Sequence, residues 1–520
     1  MKKLTAFICS LIAVLTSFCV VIGFTACNND EGAGELNLLE ENLIDDNYDN
    51  YYEIFVYSFN DSNGDGYGDL NGVTQKLDYI RDLGYTGIWL MPIMPASSYH
   101  GYDVTNYKAI NSMYGTFDDY NNLITKAHEK GIKVIIDLVV NHTSREHPWF
   151  KQAIAAKTGQ SAAPKYAEYY NFSNTSKDGY HNYGGGIWYE GQFDSWMPDL
   201  NLESEFVRDE LDSIIKFWME LGTDGFRLDG CLYYFGSGSA NANSVEVCKF
   251  IKETAVKYNP KAYVVGETWE MRSTIEQFYK SGADSFFYFP AAGNGDIVKA
   301  LNGRSALEIF RSIENCQKTA GNYIPAPFLS NHDSGTSTLG RVTTRLSKDE
   351  EKIKFVYGLL SLYSGSSFTY YGDELGMVPK DNGSDPDLRV GMLWDDGGVK
   401  TKLPNGASGN ADFPFGSAAS QLQNTSSILS YYKLCNNARN AFPALMRGTA
   451  ERKVLSDTQV LYMTKTYKDQ TIKIVVNLGT ESKTVNEVEG TLAQSICVTG
   501  SIKQSGTSLT MPKYSIAILT

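Results

Sequence analysis

Residues 132–142 read IKVIIDLVVNH. An almost unbroken aliphatic and β-branched run stops at an asparagine and a histidine. A run this short, apolar on both of its alternating faces, fits a strand covered on both sides, as in a parallel sheet. Just before it, Phe117, Tyr120, Ile124 and Ala127 recur at helical spacing up to Gly131. That stripe buries one side of a helix, and the glycine ends it.

The same pairing repeats outward in both directions. Buried-strand runs occur at 53–59 (EIFVYSF), 87–93 (GIWLMPI), 225–230 (GFRLDG), 262–269 (AYVVGETW), 285–289 (SFFYF), 327–333 (PFLSNHD) and 367–371 (SFTYY). Helical stripes lie between them, as at Val73, Leu77 and Ile80 before Gly84, and from Phe206 to Met219 before Gly222. Eight strands alternating with helices predict an α/β fold of the closed (β/α)8 TIM barrel type rather than an open sheet. No GxGxxG or phosphate loop follows a strand, which leaves nucleotide binding unsupported.

Two regions break the alternation and set the domain boundaries. Residues 141–198, rich in Tyr, Gly, Ser and Asn (180–186, YHNYGGG), are expected as a small domain inserted after strand three, beside the active face of a barrel spanning 51–140 and 199–440. From 441 to 520, runs at 460–467, 471–478 and 514–519 alternate apolar and polar residues between Gly- and Ser-containing turns. They predict a C-terminal antiparallel β-sandwich.

At the other end, Lys2 and Lys3 precede an apolar run from Leu4 to Phe24. This reads as a signal peptide over 1–26, with an uncleaved membrane span as the plainer alternative. Residues 24–27 (FTAC) resemble a bacterial lipobox, which implies lipidation at Cys27, export, and anchoring at a cell surface or periplasmic face. The polar stretch 27–50 is expected to be a flexible tether. Five further cysteines, Cys231, Cys248, Cys316, Cys435 and Cys497, are scattered without a CxxC and are expected as buried free thiols. A net charge of -14 argues against nucleic acid or an anionic lipid surface as the partner, since both need a basic patch. A monomer is expected.

Polar residues gather at the ends of several runs: Asp137, Asn141 and His142; Arg227 and Asp229; Glu267; His332 and Asp333. One charged strand end is ordinary and reads as a salt-bridged rim residue. Carboxylates at the same end of three barrel strands converge on one volume. Like charges so close raise at least one pKa, as a general acid beside an ionised partner requires.

These residues lie in blocks that resemble the α-amylase family, glycoside hydrolase family 13: 137–142 (DLVVNH), 225–229 (GFRLD), 266–269 (GETW) and 328–333 (FLSNHD), in the family's order. Residues 197–201 (MPDLN) and 370–377 (YYGDELGM) resemble auxiliary blocks, and the likeness covers roughly 51–395. It implies a retaining α-glucan hydrolase in which Asp229 is the nucleophile, Glu267 the acid/base, and Asp333 a stabiliser of the oxocarbenium-like transition state. It further implies substrate-binding roles for Tyr102, Asp103, His142, Arg227, His332 and Arg389. Asp103 is expected to meet a sugar hydroxyl or an arginine, and Arg389, in 389–394 (RVGMLW), is the arginine expected there. Where many α-amylases carry Lys and His beyond the nucleophile, this chain has Leu232 and Tyr233, so its leaving-group side must differ. Together with MPDLN, this suggests a member between oligo-1,6-glucosidases and neopullulanase-like amylases. The small Gly230 favours α-1,4 over α-1,6 bonds.

The loop 61–69 (DSNGDGYGD) places oxygen donors Asp61, Asn63, Asp65 and Asp69 at alternate positions, with the Tyr67 carbonyl available. The residue at position twelve is Gly72, so it is not an EF-hand. A structural Ca2+ is expected there, with a metal-free turn as the alternative. A transglycosylase or phosphorylase on the same fold, or an inactive tethered starch-binding protein, are the competing readings of the whole chain.

Overall fold

The computed structural model describes residues 36–160, 163–236, 242–334 and 339–520. Its centre is a parallel sheet of β1 (Asn50–Ile54), β2 (Gly87–Leu90), β3 (Lys133–Leu138), β4 (Gly225–Leu228), β5 (Tyr263–Gly266) and β6 (Ser285–Phe286), with β7 (Ser367–Tyr370) on the far side of β1. Between β6 and β7, residues 326–328 make one parallel bridge to each neighbour, Phe287 with Ala326 and Phe328 with Phe368. This short eighth stave joins the two edges, and the sheet closes into the expected barrel.

The inside is filled by residues spaced two apart on successive strands. Tyr51 stacks on Tyr263 and Phe368 at centroid distances of 5.3 and 4.8 Å, with Trp89, Ile135 and Phe287 around them. Close strand contact sets one residue type: a Cβ on Gly225 would lie 1.9 Å from the Tyr263 carbonyl oxygen.

Outside, α1 (Leu70–Gln75) and α2 (Leu77–Asp82) follow β1, and α3 (Phe117–Glu129) follows β2. Thr116 and Asp119 form a capping box at the start of α3, which buries Tyr120, Leu123, Ile124 and Ala127. The helix α4 (Glu205–Glu220) buries Val207, Leu211, Ile214, Ile215, Trp218 and Met219 against the barrel. Phe117 and Phe206, counted in the apolar stripes, lie at the exposed edge of their helices. Later strands are followed by α5 (Ala242–Tyr258), α6 (Arg272–Phe278), α7 (Ala306–Ala320), α8 (Glu350–Leu360) and α9 (Ile428–Ala441).

Between β3 and α4 the chain leaves the barrel to form the helix Pro148–Lys157 and a small sheet of Phe172–Ser173, Tyr180–Gly184 and Ile187–Glu190, packed around Phe150, Tyr170 and Tyr189. The C-terminal part holds a five-stranded and a three-stranded antiparallel sheet that share a core of Val460, Tyr462, Val475, Leu509 and Met511. The other face of the larger sheet, with Leu461, Met463, Ile474 and Ile516, packs in one cluster with Phe355 and Tyr432 of the barrel helices. Its central strands are thus buried on both faces, more than the alternation of apolar and polar residues along them implies.

The stretch expected as a tether up to Asn50 is held from Leu39 onward. Leu39 donates its N–H to Asn437 and Asn42 to the Asn440 carbonyl, Glu41 pairs with Arg81, and Arg447 lies 2.6 Å from Asp46. Polar residues here form directed bonds to α9, and composition alone did not distinguish that from a solvated linker. The signal segment 1–26 and Cys27 lie outside the described residues. Among the described residues, no helix is long and apolar enough to cross a membrane.

Candidate active site

The strand ends of the barrel open into a cavity of about 930 Å³. Its lining includes Tyr102, His142, Asp229, His332, Asp333 and Arg389. Arg227 on β4 organises the floor. Period-two alternation puts Arg227 and Asp229 on the same strand face, and the parallel register sets Arg227 beside Asp137 of β3. Its Nη1 lies 2.5 Å from Asp137 Oδ1 and 2.8 Å from Asp229 Oδ1, while Nη2 lies 2.6 Å from Glu267 Oε2. One rigid guanidinium therefore brings Asp229 and Glu267 to within about 8 Å of each other at most. Asp229 is followed by Gly230 at φ +52°, a left-handed turn that a side chain would resist; it redirects the chain out of β4.

Burial and charge act in opposite directions on these acids. Burial raises Glu267 well above the usual carboxylate range; Arg227 opposes it, and the negative charges of Asp333 and Asp229 add to it. Asp229 is raised by burial and pulled back by Arg227. Asp137 is pushed up to about 7 by burial, against Arg227 and a hydrogen bond from Trp89 Nε1 at 2.9 Å. Both carboxyls thus touch the same cation and both are raised, Glu267 well above the usual range, which holds Glu267 toward the acid form that acid-assisted displacement needs.

A second arginine holds Asp333. Arg389 Nη2 lies 2.6 Å from Asp333 Oδ1, and its Nε donates to the His332 carbonyl at 3.0 Å. Asp385 lies 3.4 Å from the same Arg389 nitrogen and accepts from the Ser334 N–H and hydroxyl at 2.7 and 2.6 Å, which fixes Ser334 next to Asp333. Tyr102 stacks on His332 at 5.5 Å with an interplanar angle of 15°. His142 faces the cavity with Nε2 3.2 Å from the Tyr102 carbonyl oxygen, and burial lowers its pKa to about 4, so it is neutral at pH 7.

The expected site residues therefore gather, with one exception. Asp103 is buried beside the cavity but turns into its own loop, where it accepts from the Ser98 N–H at 3.1 Å and from the Ser98 hydroxyl. Arg389 pairs with Asp333 and Asp385 instead. Sequence spacing cannot show which of several nearby acids an arginine reaches, because that depends on how two loops lie against each other.

Several contributors were not expected. Glu53 sits inside a strand run as its one acid and contacts His332. His100 lines the cavity next to Tyr102. Phe193, Tyr233 and Trp269 form an aromatic wall with centroid distances of 4.8 Å (Phe193–Tyr233) and 5.7 Å (Tyr233–Trp269). Glu53 could have been noticed as a charge in an otherwise apolar strand; the wall joins loops far apart in sequence.

The catalytic-domain model described as "Alpha amylase, catalytic domain" matches residues 53–448. The chain belongs to the α-amylase family, glycoside hydrolase family 13. Within this family it is 36% identical over 452 residues to Alpha-amylase 3 of Dictyoglomus thermophilum, covering 84% of this chain and 86% of that protein. It is 28% identical over 558 residues to the oligo-1,6-glucosidase of Heyndrickxia coagulans, covering 90% and 97%. The solved structure of Eubacterium rectale Amy13B superposes with a TM-score of 0.86 at 36% identity, covering 92% of this chain and 96% of that one. The family is one of α-glucan hydrolases.

In the loop expected to bind Ca2+, the five residues share one turn. The donor set is all oxygen, which suits a hard cation, and Lys402 Nζ already lies 2.8 Å from the Asp65 carbonyl oxygen. Each side chain also serves the fold. Asp61 accepts from the Asn63, Gly64 and Gly66 N–H groups, Asn63 from Asp65, and Asp65 from Tyr67, while Asp69 caps α1 through the Gly72 N–H at 2.6 Å. Among the described residues, no three acidic, histidine or cysteine side chains gather closely enough to hold a metal ion.

Proposed function

We propose that this chain hydrolyses α-glucosidic bonds, mainly α-1,4, in starch and maltooligosaccharides, with retention of configuration. The observation that carries the reading is the single Arg227 guanidinium in contact with both Asp229 and Glu267 at the floor of an open cavity. In the first step an Asp229 oxygen attacks the anomeric carbon, the bond to the leaving oxygen breaks, and Glu267 gives that oxygen its proton. In the second step Glu267, now a carboxylate, takes a proton from water. The water oxygen attacks the same carbon and the bond to Asp229 breaks. Asp333, held by Arg389, and the neutral His142 face the sugar at the cleavage point.

The test is product analysis with maltooligosaccharides, starch, pullulan and sucrose, wild type against Glu267→Gln. Reducing-sugar release by wild type and its loss in the variant support the assignment; equal release by both removes it.

A second reading has its own observation. The wall of Phe193, Tyr233 and Trp269 presents flat apolar faces to the side where Leu232 and Tyr233 replace polar residues, so a second sugar could stack there and compete with water. Transfer products exceeding hydrolysis products at high maltooligosaccharide concentration would favour transglycosylation.

The loop 61–69 is proposed to take a structural Ca2+ through the oxygens of Asp61, Asn63, Asp65, Tyr67 and Asp69, with no part in the chemistry; binding requires Asp61, Asp65 and Asp69 to turn from their backbone N–H partners and close around the ion. Export and anchoring through Cys27 are proposed from the sequence at 1–27.

A further inference from the structure

Glu53 lies on β1 at the bottom of the site, fully buried, with Oε1 2.5 Å from His332 Nδ1. The ring it contacts is already fixed in orientation: Tyr102 stacks on one face, and Trp89 meets it edge-on at 5.6 Å. Packing therefore leaves one property of His332 open, namely which nitrogen carries hydrogen.

The other nitrogen settles what is needed. His332 Nε2 lies 3.2 Å from Asp333 Oδ2 and 2.8 Å from the Tyr102 hydroxyl. The Asp333 carboxylate, paired with Arg389, only accepts. The Tyr102 hydroxyl, which accepts from Arg227 Nη1 at 3.4 Å, lies 3.3 Å from Asp137 Oδ2; with its one hydrogen turned to that carboxylate it offers Nε2 a lone pair. In that arrangement both neighbours favour a hydrogen on Nε2. With Nε2–H in place, a neutral ring has a bare Nδ1, and an ionised Glu53 at 2.5 Å would set lone pair against lone pair. The pair must share one more proton, on the carboxyl or on the ring, and is then electrically neutral. Burial raises Glu53 and lowers His332, which puts that proton on Glu53.

We propose that Glu53 is a positioning residue: through the proton shared with His332 Nδ1 it keeps the Nε2 hydrogen on His332, directed to the Tyr102 hydroxyl and next to Asp333 at the sugar-binding end of the site. This rests on the glycosidase reading above for its consequence, though not for its geometry.

The wild-type protein tests the geometry directly. With ¹⁵N-labelled histidine, and His332 assigned by its loss in His332→Gln, His332 should show a protonated Nε2; a bare Nε2 with the proton on Nδ1 overturns the proposal. Kinetics test the consequence. In Glu53→Gln the amide can donate to Nδ1, so kcat should stay within about threefold, whereas Glu53→Met should lower kcat about 10–100-fold at unchanged melting temperature. A Met variant with wild-type kcat, or a Gln variant as impaired as Met, also overturns it. If Glu53→Met does not fold, the wild-type tautomer and Glu53→Gln still decide. If wild type releases no sugar from any glucan, the glycosidase reading fails, while the tautomer still decides the role of Glu53.

Discussion

Arg227 Nη2 lies 2.6 Å from Glu267 Oε2, and the other end of the same guanidinium holds Asp229 at 2.8 Å. Removing this cation leaves three buried acids uncompensated. A lysine supplies the charge as a point and cannot span both carboxyls. Arg227→Lys should lower kcat/KM about 10²–10³-fold, and Arg227→Met should in addition cost roughly 3–5 kcal/mol of stability in urea unfolding. Near-native kinetics in Arg227→Lys would remove Arg227 from the catalytic arrangement.

The pH profile follows from the direction of two shifts. Glu267 is raised well above its ordinary range, so it keeps its proton into conditions where a free carboxyl has lost it. Activity should therefore fall on the alkaline side as Glu267 deprotonates, and on the acid side as Asp229 is protonated. Stability carries the same sign: a raised carboxyl in the folded state contributes fully below its unfolded pKa, and the contribution is lost as pH rises through the raised value. A kcat/KM profile with no alkaline limb before unfolding would contradict the role of Glu267.

Chelation tests the loop at 61–69. Bound Ca2+ would stabilise the folded chain by mass action, so EDTA should lower Tm by on the order of a few degrees, with kcat unchanged once Ca2+ is restored. An identical melt in EDTA, with no calcium in elemental analysis, would leave the loop to its own hydrogen bonds and Lys402.

The anchor is tested apart from the enzyme. Full-length protein from a bacterial host should partition into the detergent phase and incorporate labelled fatty acid, and Cys27→Ser should abolish both while leaving specific activity unchanged. Detergent partitioning retained by Cys27→Ser would point to an uncleaved span instead.

The barrel was legible because strand and helix periods are local properties. The run at 132–142 and the stripe ending at Gly131 each reveal their burial without knowledge of any other segment. The carboxylates were legible for a related reason: a barrel brings the same ends of all its strands together, so residues ending 132–142, 225–230 and 262–269 had to meet. The held segment from Leu39 was not legible, since asparagines bonded to α9 have the same composition as asparagines in water.

Sequence by itself determined the α/β barrel, the inserted and C-terminal β regions, and the placing of Asp229, Glu267 and Asp333 at the ends of their runs, because periodicity and strand order carry that information. Only the tertiary structure decided that Arg389 pairs with Asp333 and not with Asp103, that Glu53 meets His332, and that Phe193, Tyr233 and Trp269 share a wall. Those contacts depend on how loops from distant strands cross within a few ångströms, and no local pattern encodes that distance.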